Sequence, residues 1–293
     1  MTSFDVVAYL KGILKTKKIG HTGTLDPGAV GVLPVCVGAA TKAIEFITDK
    51  DKSYRAELTL GISTDTKDSS GEVVSSCEVA VSEAEIIAAM KSFIGRYRQL
   101  PPMYSAVKVG GRRLYELARS GITVERQPRE VEVYSIDIID ISRPRVIFDV
   151  ACSKGTYIRT LCADIGERLG CGGHMSFLIR TGAGVFNLDE AVTLEEVEDL
   201  ALRGRLGDVL INVDEAFKDF DKVLLDNLRE KRLLNGAFIE LEGGNFKPGQ
   251  IVRVYSNRNG FVALGEVIVK QGNLFLKSKK LFDGGSNDGS YLR

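Results

Sequence analysis

The chain has 293 residues, of which 44% are hydrophobic and 27% charged, a globular composition with enough length for more than one domain. No apolar run approaches the roughly 18 residues that a membrane helix needs, and the N-terminus lacks a signal pattern. We therefore expect a cytoplasmic protein with no membrane partner. Five scattered cysteines without a Cys-x-x-Cys pair, and only two histidines, argue against a disulfide framework and a metal centre.

A formal net charge of zero conceals two segments of opposite charge. Residues 85–130 carry nine Lys or Arg against four Glu, and residues 181–220 carry three against ten Asp or Glu. A basic face is what binding to nucleic-acid phosphates needs. Two solvated helix faces of opposite sign would give the same counts, so charge alone does not decide between these interpretations.

In chain order, an amphipathic helix is predicted over residues 3–16, followed by a loop over residues 20–28. This loop contains three glycines and a proline, leads into an apolar run, and holds one imidazole, His21, and one carboxylate, Asp26. An acid and an imidazole on a loop against a core are candidates for chemistry. Asp before Pro is also an ordinary turn sequence, so the loop by itself is weak evidence.

The next elements alternate between structure and turns. A short helix is predicted over 41–48 and a half-buried strand over 52–61, where apolar and polar residues alternate. The polar stretch 63–71 does not match a calcium loop and is interpreted as a surface turn or clamp. A capping box at Ser82 opens a helix that Gly95 ends.

Residues 96–113 interleave arginine with tyrosine and are predicted to form a loop, a short strand and a Gly-Gly turn, with a helix over 114–119. This composition is typical of surfaces that follow phosphates and stack on bases. A basic hairpin that keeps a sheet edge soluble is the alternative.

Two apolar strands are predicted over 131–141 and 146–152, then a helix from about 158 to 169 and a strand over 174–181. Lys154 and Arg159 stand at the turn into that helix and could bind phosphates or a carboxylate. The residues alone favour surface solvation for both.

An acidic helix over 192–202 precedes a change of character after about residue 219. The predicted strands beyond it cover 238–241, 251–255, 261–269 and 273–276, with a hairpin turn at 257–260. They predict a small β-rich C-terminal module, and the tail, 283–293, is expected to be disordered.

Several of these stretches, in this order, resemble the TruB family of tRNA pseudouridine-55 synthases. The stretches that carry the resemblance are Gly20-His21-Thr22-Gly23-Thr24-Leu25-Asp26-Pro27, Ala40-Thr41-Lys42, Lys52-Ser53-Tyr54-Arg55, Pro102-Met103-Tyr104-Ser105-Ala106-Val107-Lys108, Ser153-Lys154-Gly155-Thr156-Tyr157-Ile158-Arg159-Thr160 and Leu169-Gly170-Cys171-Gly172-Gly173-His174. A further, weaker resemblance links Ala263-Leu264-Gly265-Glu266 to PUA RNA-binding modules.

The resemblance implies an α+β fold: a mixed, largely antiparallel catalytic sheet flanked by helices, with a small β-rich PUA-like domain. The implied domains are a catalytic domain over 1–218, containing a basic RNA-gripping insertion at about 95–125, and a PUA-like domain over 219–282. Family members begin with a strand and a Lys-Pro-x-Gly-x-Thr-Ser stretch that would precede the first helix. Without that strand we expect an exposed sheet edge.

The implied reaction isomerises a uridine in the tRNA T-loop, with no cofactor and no metal. Asp26 matches the nucleophile, Arg159 the arginine that keeps its pKa low, and Tyr54 the residue that stacks on the target base. The remaining matched positions are His21, which braces the gap left by the flipped base; Tyr157 and Leu178, which line the pocket; Lys42 and Lys154, which meet phosphates; and Tyr104, Lys108, Arg112 and Arg113, which contact RNA.

The implied partner is the tRNA T-arm, with no obligate protein partner. Two alternatives remain open. One is a guide-RNA-dependent pseudouridine synthase subunit, against which the 104–121 insertion argues, and the other is a non-catalytic RNA-binding or RNA-folding protein.

Overall fold

The computed structural model describes residues 1–282 and 291–292. The helices are α1 (Ser3–Leu14), α2 (Ile44–Thr48), α3 (Glu83–Lys91), α4 (Leu114–Arg119), α5 (Ile158–Arg168), α6 (Leu194–Leu202) and α7 (Asn227–Leu234), with 3-10 helices at Gly38–Ala43, Leu188–Glu190, Leu206–Asp208 and Val213–Phe217. The strands are β1 (Ile19–His21), β2 (Val30–Gly31), β3 (Val35–Val37), β4 (Lys52–Leu60), β5 (Ile62–Thr64), β6 (Val73–Ser76), β7 (Gly95–Gln99), β8 (Lys108–Val109), β9 (Arg112–Arg113), β10 (Arg129–Ser142), β11 (Arg145–Cys152), β12 (Gly173–Ala183), β13 (Phe186–Asn187), β14 (Ile211–Asn212), β15 (Lys222–Leu225), β16 (Ile239–Glu240), β17 (Ile251–Ser256), β18 (Gly260–Lys270), β19 (Asn273–Leu281) and β20 (Tyr291–Leu292).

Most predicted elements are confirmed to within a few residues. Side-chain caps fix where the helices begin: Thr2, Ser82 and Thr193 each close a capping box with the acidic residue three positions on. Among the elements that the sequence did not predict are β7, β15 and α7 and the short strands β1, β5, β6, β13 and β14. In β7 arginines alternate with the other residues, so the apolar signal of a half-buried strand is weak there.

The chain divides into two compact units. The sheet unit contains Leu25–Val32 and Asp49–Glu190. Its seven-stranded sheet has the order β13-β12-β4-β11-β10-β7, each neighbouring pair antiparallel, and β2 joins β12 in parallel. The expected mixed, largely antiparallel sheet is therefore confirmed.

The core of the sheet unit lies between the sheet and the helices α3 and α5. In β11 every second residue is buried, so one face of the strand points inward. Leu58 and Phe148 of the sheet, with Leu161 and Ile165 of α5, are completely buried in one cluster. Each such side chain contributes about 1.5–3 kcal/mol when it leaves water. This packing fixes the first turn of α5 against the sheet.

The terminal unit contains Met1–Thr24, Leu33–Thr48 and Ala191–Arg293. One of its sheets has the order β1-β3-β20-β14, and Leu10 of α1 packs with Val35 and Val197. The β-rich module has the order β15-β17-β18-β19-β16 and, together with α7, its own core, so this part of the prediction is confirmed.

Pairing of β1 with β3 and packing of α1 on α6 join the first residues to the chain after Ala191 within the terminal unit. The expected catalytic domain over 1–218 stays a prediction. The expected disordered tail lies mostly outside the described residues. Its Tyr291–Leu292 differ from the expectation, since they pair with β14 and β3.

Within residues 1–282 and 291–292, no helix has both the length and the apolar character needed to cross a membrane. In the same residues, no three His, Cys, Asp or Glu side chains are grouped so that they could hold a metal ion.

Candidate active site

Asp26 opens a tight turn that is attached to the large sheet. The Ala29 N–H donates to the Asp26 carbonyl at 2.9 Å, with Pro27 at the second turn position, where its fixed φ fits. The Val32 N–H then donates to the Arg180 carbonyl at 2.8 Å. Gly31 has φ +106°, and a Cβ there would lie 2.3 Å from the Arg180 carbonyl oxygen, so this close approach requires glycine. The Asp26 turn is therefore held firmly against β12.

Arg159 forms a two-point contact with Asp26. It lies in the first turn of α5, and only 5% of its side chain is exposed. Its Nε is 2.8 Å from Asp26 Oδ2 and its Nη2 is 3.0 Å from Oδ1. The interpretation of Arg159 as a solvated surface residue, favoured by the local sequence alone, is wrong. A buried guanidinium in paired contact with a carboxylate fixes the direction in which that carboxylate points.

Three further oxygens surround the same guanidinium. Arg159 Nη2 donates to the Tyr104 carbonyl at 2.8 Å, and Nη1 to the Thr66 carbonyl at 3.5 Å. The Asp68 carboxylate lies 3.6 Å from Nη1, with 17% of its side chain exposed. Together with Arg159 and Asp26 they form what we call the Asp26 cluster. The sequence placed 63–71 as a surface turn or clamp and missed Asp68, since no spacing pattern links that loop to α5.

The pKa of Asp26 lies above its ordinary value, which corrects the expectation that Arg159 holds it low. Burial among protein atoms is the largest effect and raises this pKa; the charge of Arg159 lowers it, and the charge of Asp68 raises it again. About a third of the Asp26 side chain, 36%, stays exposed, so solvent still reaches the carboxylate. The charge of Arg159 reduces the rise in the Asp26 pKa that burial causes but does not cancel it.

The loop that carries Asp68 is itself anchored to the sheet unit. The Met175 N–H donates to the Lys67 carbonyl at 3.0 Å and the Ser69 N–H to the Met175 carbonyl at 3.1 Å. Lys67 has φ 63°, an uncommon conformation for a lysine, and its Nζ lies 4.0 Å from Asp164 of α5. Burial raises the pKa of Asp164 to about 6, and Lys67 opposes that rise. The loop is thus held on the helix that supplies Arg159.

Tyr54 faces the same region from β4. Its ring packs partly buried against the core, and its phenol oxygen accepts a hydrogen bond from Arg180 of β12. Burial raises the pKa of Tyr54 to about 12, and the charge of Asp26 also raises it, whereas Arg180 lowers it. Leu178, two residues before Arg180, is 6% exposed and belongs to the core cluster.

Tyr157 precedes α5 and is fixed through its backbone by Gln99 of β7. The Tyr157 N–H donates to Gln99 Oε1 at 2.8 Å, and Gln99 Nε2 donates to the Tyr157 carbonyl at 3.1 Å. Gln99 is 1% exposed, so both bonds are shielded from water. The sequence missed this residue because its strand carries a weak apolar signal.

Four of the five cations expected to meet RNA lie on the surface. Lys108, Arg112 and Arg113 are exposed on the hairpin of β8 and β9, which we call the basic hairpin. Lys154 is exposed and lies 2.7 Å from Asp49, an ion pair that contributes little to stability in water. Tyr104 is half-buried and contributes its backbone carbonyl to the Asp26 cluster.

His21 and Lys42 belong to the terminal unit. His21 ends β1, is half-buried, and its Nδ1 accepts from the Gly23 N–H at 3.3 Å. Lys42 is half-buried in the 3-10 helix Gly38–Ala43. The roles assigned to both residues stay predictions.

Two family models match consecutive parts of the chain. The model described as TruB family pseudouridylate synthase (N terminal domain) matches residues 11–158, and that of the tRNA pseudouridylate synthase B C-terminal domain matches residues 159–218. The β-rich module keeps its PUA-like interpretation as a prediction.

Relatives named tRNA pseudouridine synthase B match almost the whole chain. The protein from Alkaliphilus oremlandii (strain OhILAs) is 54% identical, covering 91% of this chain and 89% of its own. The one from Clostridioides difficile (strain 630) is 46% identical, covering 96% of each.

Among solved structures, a Cbf5-Nop10-Gar1 complex contains a chain that is 29% identical with a TM-score of 0.76, covering 96% of this chain and 82% of that one. An H/ACA RNP bound to a substrate RNA containing 2′-deoxyuridine gives 27%, a TM-score of 0.75, and coverages of 99% and 83%. With family models that span residues 11–218 and relatives near half identity over most of its length, this chain belongs to the TruB family of pseudouridylate synthases.

Proposed function

We propose that this chain isomerises one uridine in the T-loop of tRNA, uridine-55, to pseudouridine. The observation that carries the proposal is the Asp26 cluster: a partly accessible carboxylate held at two points by a buried arginine. Breaking and remaking a glycosidic bond needs an ionised carboxylate of fixed direction, either as nucleophile or as partner to a sugar intermediate.

In the proposed reaction Asp26 acts at C1′ of the target nucleotide. The C1′–N1 bond breaks and its electron pair leaves with the uracil, while the carboxylate binds or balances the sugar carbon. The uracil turns and its C5 forms the new bond to C1′, releasing the carboxylate. The C5 proton then passes to a base and N1 takes up a proton, so substrate and product are isomers. Arg159 keeps the carboxylate aligned throughout and opposes its protonation.

Tyr54 is proposed to stack on the target base and to take part in removal of the C5 proton. Its ring is packed against the core and its phenol is held by Arg180, so it forms a rigid platform beside Asp26. Leu178 and Tyr157 are proposed to line the pocket. Turning the base out of the T-loop costs a few kcal/mol, and His21 is proposed to brace the gap.

The proposed partner is the T-arm of tRNA. The basic hairpin, with Lys42 and Lys154, would supply the phosphate contacts that make the affinity salt-dependent. No cofactor and no metal take part in this proposal. Action on tRNA implies the cytoplasm as its location, and we expect no obligate protein partner.

One observation argues against each of the two alternative functions. The Cbf5 structures belong to multi-protein complexes, but this chain is far closer in sequence to proteins named tRNA pseudouridine synthase B, at 54% against 29%. A purely RNA-binding role would leave the paired Asp26–Arg159 contact without a purpose.

The deciding experiment is tritium release from an unmodified tRNA transcript labelled at uridine C5, with the purified chain alone. Release by the parent chain but not by Asp26→Asn would support the reaction and its nucleophile. Absence of release from both, with tRNA still bound, would contradict the catalytic proposal. Release only after addition of a guide RNA and partner proteins would favour the guide-dependent alternative.

A further inference from the structure

Arg180 is a buried cation that none of the assigned roles uses. It lies in β12 and is 3% exposed. Its register partner in β4 is Tyr54, so the two side chains extend from the same face of the sheet. The guanidinium donates one hydrogen bond to the phenol oxygen of Tyr54, and its Nε donates another to the Val32 carbonyl at 2.7 Å.

The same residue also anchors the far end of the Asp26 turn. Gly31 pairs with Arg180 in parallel register, and the Val32 N–H donates to the Arg180 carbonyl at 2.8 Å. Backbone and side chain of Arg180 thus contact Val32 at two points. Arg180 therefore connects the segment that carries Asp26 to Tyr54, the residue proposed to stack on the target base.

The pairing of β12 with β4 is irregular on both sides of Arg180. The register with β4 shifts between Met175 and Phe177 and again between Arg180 and Gly182. Such bulges re-aim the side chains that follow or precede them and are common beside active sites. Leu178 and Arg180 lie in the short regular stretch between the two shifts. Both side chains extend from the face of the sheet that carries Tyr54.

We propose that Arg180 is a positioning residue that holds the Tyr54 phenol in place and keeps a cation beside its oxygen while the C5 proton is removed. This inference rests on the proposed function. A phenol that exchanges a proton with the substrate carries part of a negative charge in that step, and a fixed guanidinium favours the charged form. Tyr54 is strongly disposed to stay neutral, since burial raises its pKa to about 12.

The charged and titratable groups around the pair have opposing effects. The charge of Asp26 disfavours a charged Tyr54, whereas Arg180 favours it. Burial lowers the pKa of Lys52, and repulsion by the nearby charge of Arg180 lowers it further. Arg180 is thus the cation that contacts the phenol directly.

The test compares Arg180→Met and Arg180→Lys with the parent chain by single-turnover tritium release at saturating tRNA. We expect Arg180→Met to slow the reaction by about 10²-fold, with Arg180→Lys recovering part of the rate because it restores the charge but not the planar fork. Arg55→Met is the matched control: Arg55 follows Tyr54 in β4 but is exposed and pairs with Asp149, and its variant should keep the parent rate.

Two readouts separate positioning of Tyr54 from a general structural role. With tRNA deuterated at uridine C5, the isotope effect on the single-turnover rate should grow in Arg180→Met, because removal of that proton becomes slower relative to the other steps. In a Tyr54→Phe background, Arg180→Met should slow the reaction by less than a further factor of about 3, since the phenol through which it acts is already absent.

Each outcome decides the inference. An Arg180→Met rate equal to that of the parent overturns it, as does an unchanged isotope effect with equal reductions in rate in both backgrounds. If the parent chain itself releases no tritium, the proposed function fails and not merely the role of Arg180. Melting temperatures and tRNA affinity of all variants, measured alongside, identify any variant that has lost its fold. If Arg180→Met has lost its fold, the isotope effect of Arg180→Lys is compared with that of the parent chain instead.

Discussion

The Asp26 cluster and the basic hairpin both contain arginines, but they use them in opposite ways. Arg159 is almost completely buried and touches two carboxylates and two backbone carbonyls. Arg112 and Arg113 are exposed on a two-residue strand. Removal of a buried charge leaves its partners unpaired where water cannot compensate, whereas an exposed charge is replaced by solvent and ions. We therefore propose that the Asp26 cluster fixes the orientation of a carboxylate, whereas the basic hairpin attracts RNA phosphates.

The largest effect should come from Asp26→Asn. The amide keeps the shape of the side chain but removes the charge and the oxygen proposed as the nucleophile, so we expect turnover to fall at least about 10³-fold. Tritium release measures turnover and filter binding measures tRNA affinity, which should persist. Turnover near the parent level would remove Asp26 from the mechanism, and the contrast between the two regions would no longer hold.

Arg159→Lys should lower the rate by about 10²-fold, because an ammonium cannot make two parallel contacts with one carboxylate. Arg55→Lys is a matched control, since Arg55 makes the same two-point contact with Asp149, at 2.7 and 2.8 Å, on an exposed face. Single-turnover rates should distinguish the two substitutions clearly. Equal rates for both variants would mean that burial of the Asp26–Arg159 pair has no functional consequence.

Asp68→Asn should slow the reaction by about 10-fold, because it weakens one of the supports of Arg159. It should also change the pH profile. In the proposed mechanism ionised Asp26 is the active form, so the rate should fall as pH drops through its pKa, and the charge of Asp68 raises that pKa. Its removal should move the acid limb to lower pH.

The control for this substitution is Asp65→Asn. Asp65 lies in the same loop but accepts from the Glu72 N–H, and its variant should leave both the rate and the acid limb unchanged. An acid limb that moves to higher pH in Asp68→Asn would contradict the assigned electrostatic order.

The smallest effect on turnover should come from the double substitution Arg112→Ala and Arg113→Ala. At saturating tRNA the rate should stay near that of the parent. Affinity should fall with a flatter salt dependence, the slope of log K against log salt decreasing by about 0.7–0.9 for each phosphate that the variant no longer neutralises. An unchanged slope would show that the basic hairpin does not contact phosphates.

Local sequence predicted the elements that carry the site. Alternation predicted β4, an apolar run predicted β11, capping boxes predicted the beginnings of α3 and α6, and the Asp-Pro turn located Asp26. These signals depend on neighbours within a few residues, so they can be read from one stretch of chain. The pairing of Asp26 with Arg159 was expected from the resemblance alone, since 133 residues separate the two.

Other features were not accessible in this way. Asp68 and Gln99 enter the site because the 63–71 loop is tied to β12 and because β7 lies at the edge of the sheet beside Tyr157. Nothing in the local sequence of either stretch indicates that contact. The sign of the Asp26 pKa shift was also predicted wrongly, because burial is a property of the whole environment and here exceeds the effect of one cation.

The type of most elements and the small β-rich module follow from the sequence, since propensity and periodicity are local properties. The roles expected of Asp26, Tyr54 and Arg159 came from the resemblance to the family. Three features depend on the folded chain: Arg159 is buried, Asp68 joins it, and Arg180 connects Tyr54 to the Asp26 turn. Those contacts join segments that are distant along the chain. They exist because sheet register and core packing bring these segments together. The resulting exclusion of solvent strengthens the electrostatic interactions between the charged groups of the site.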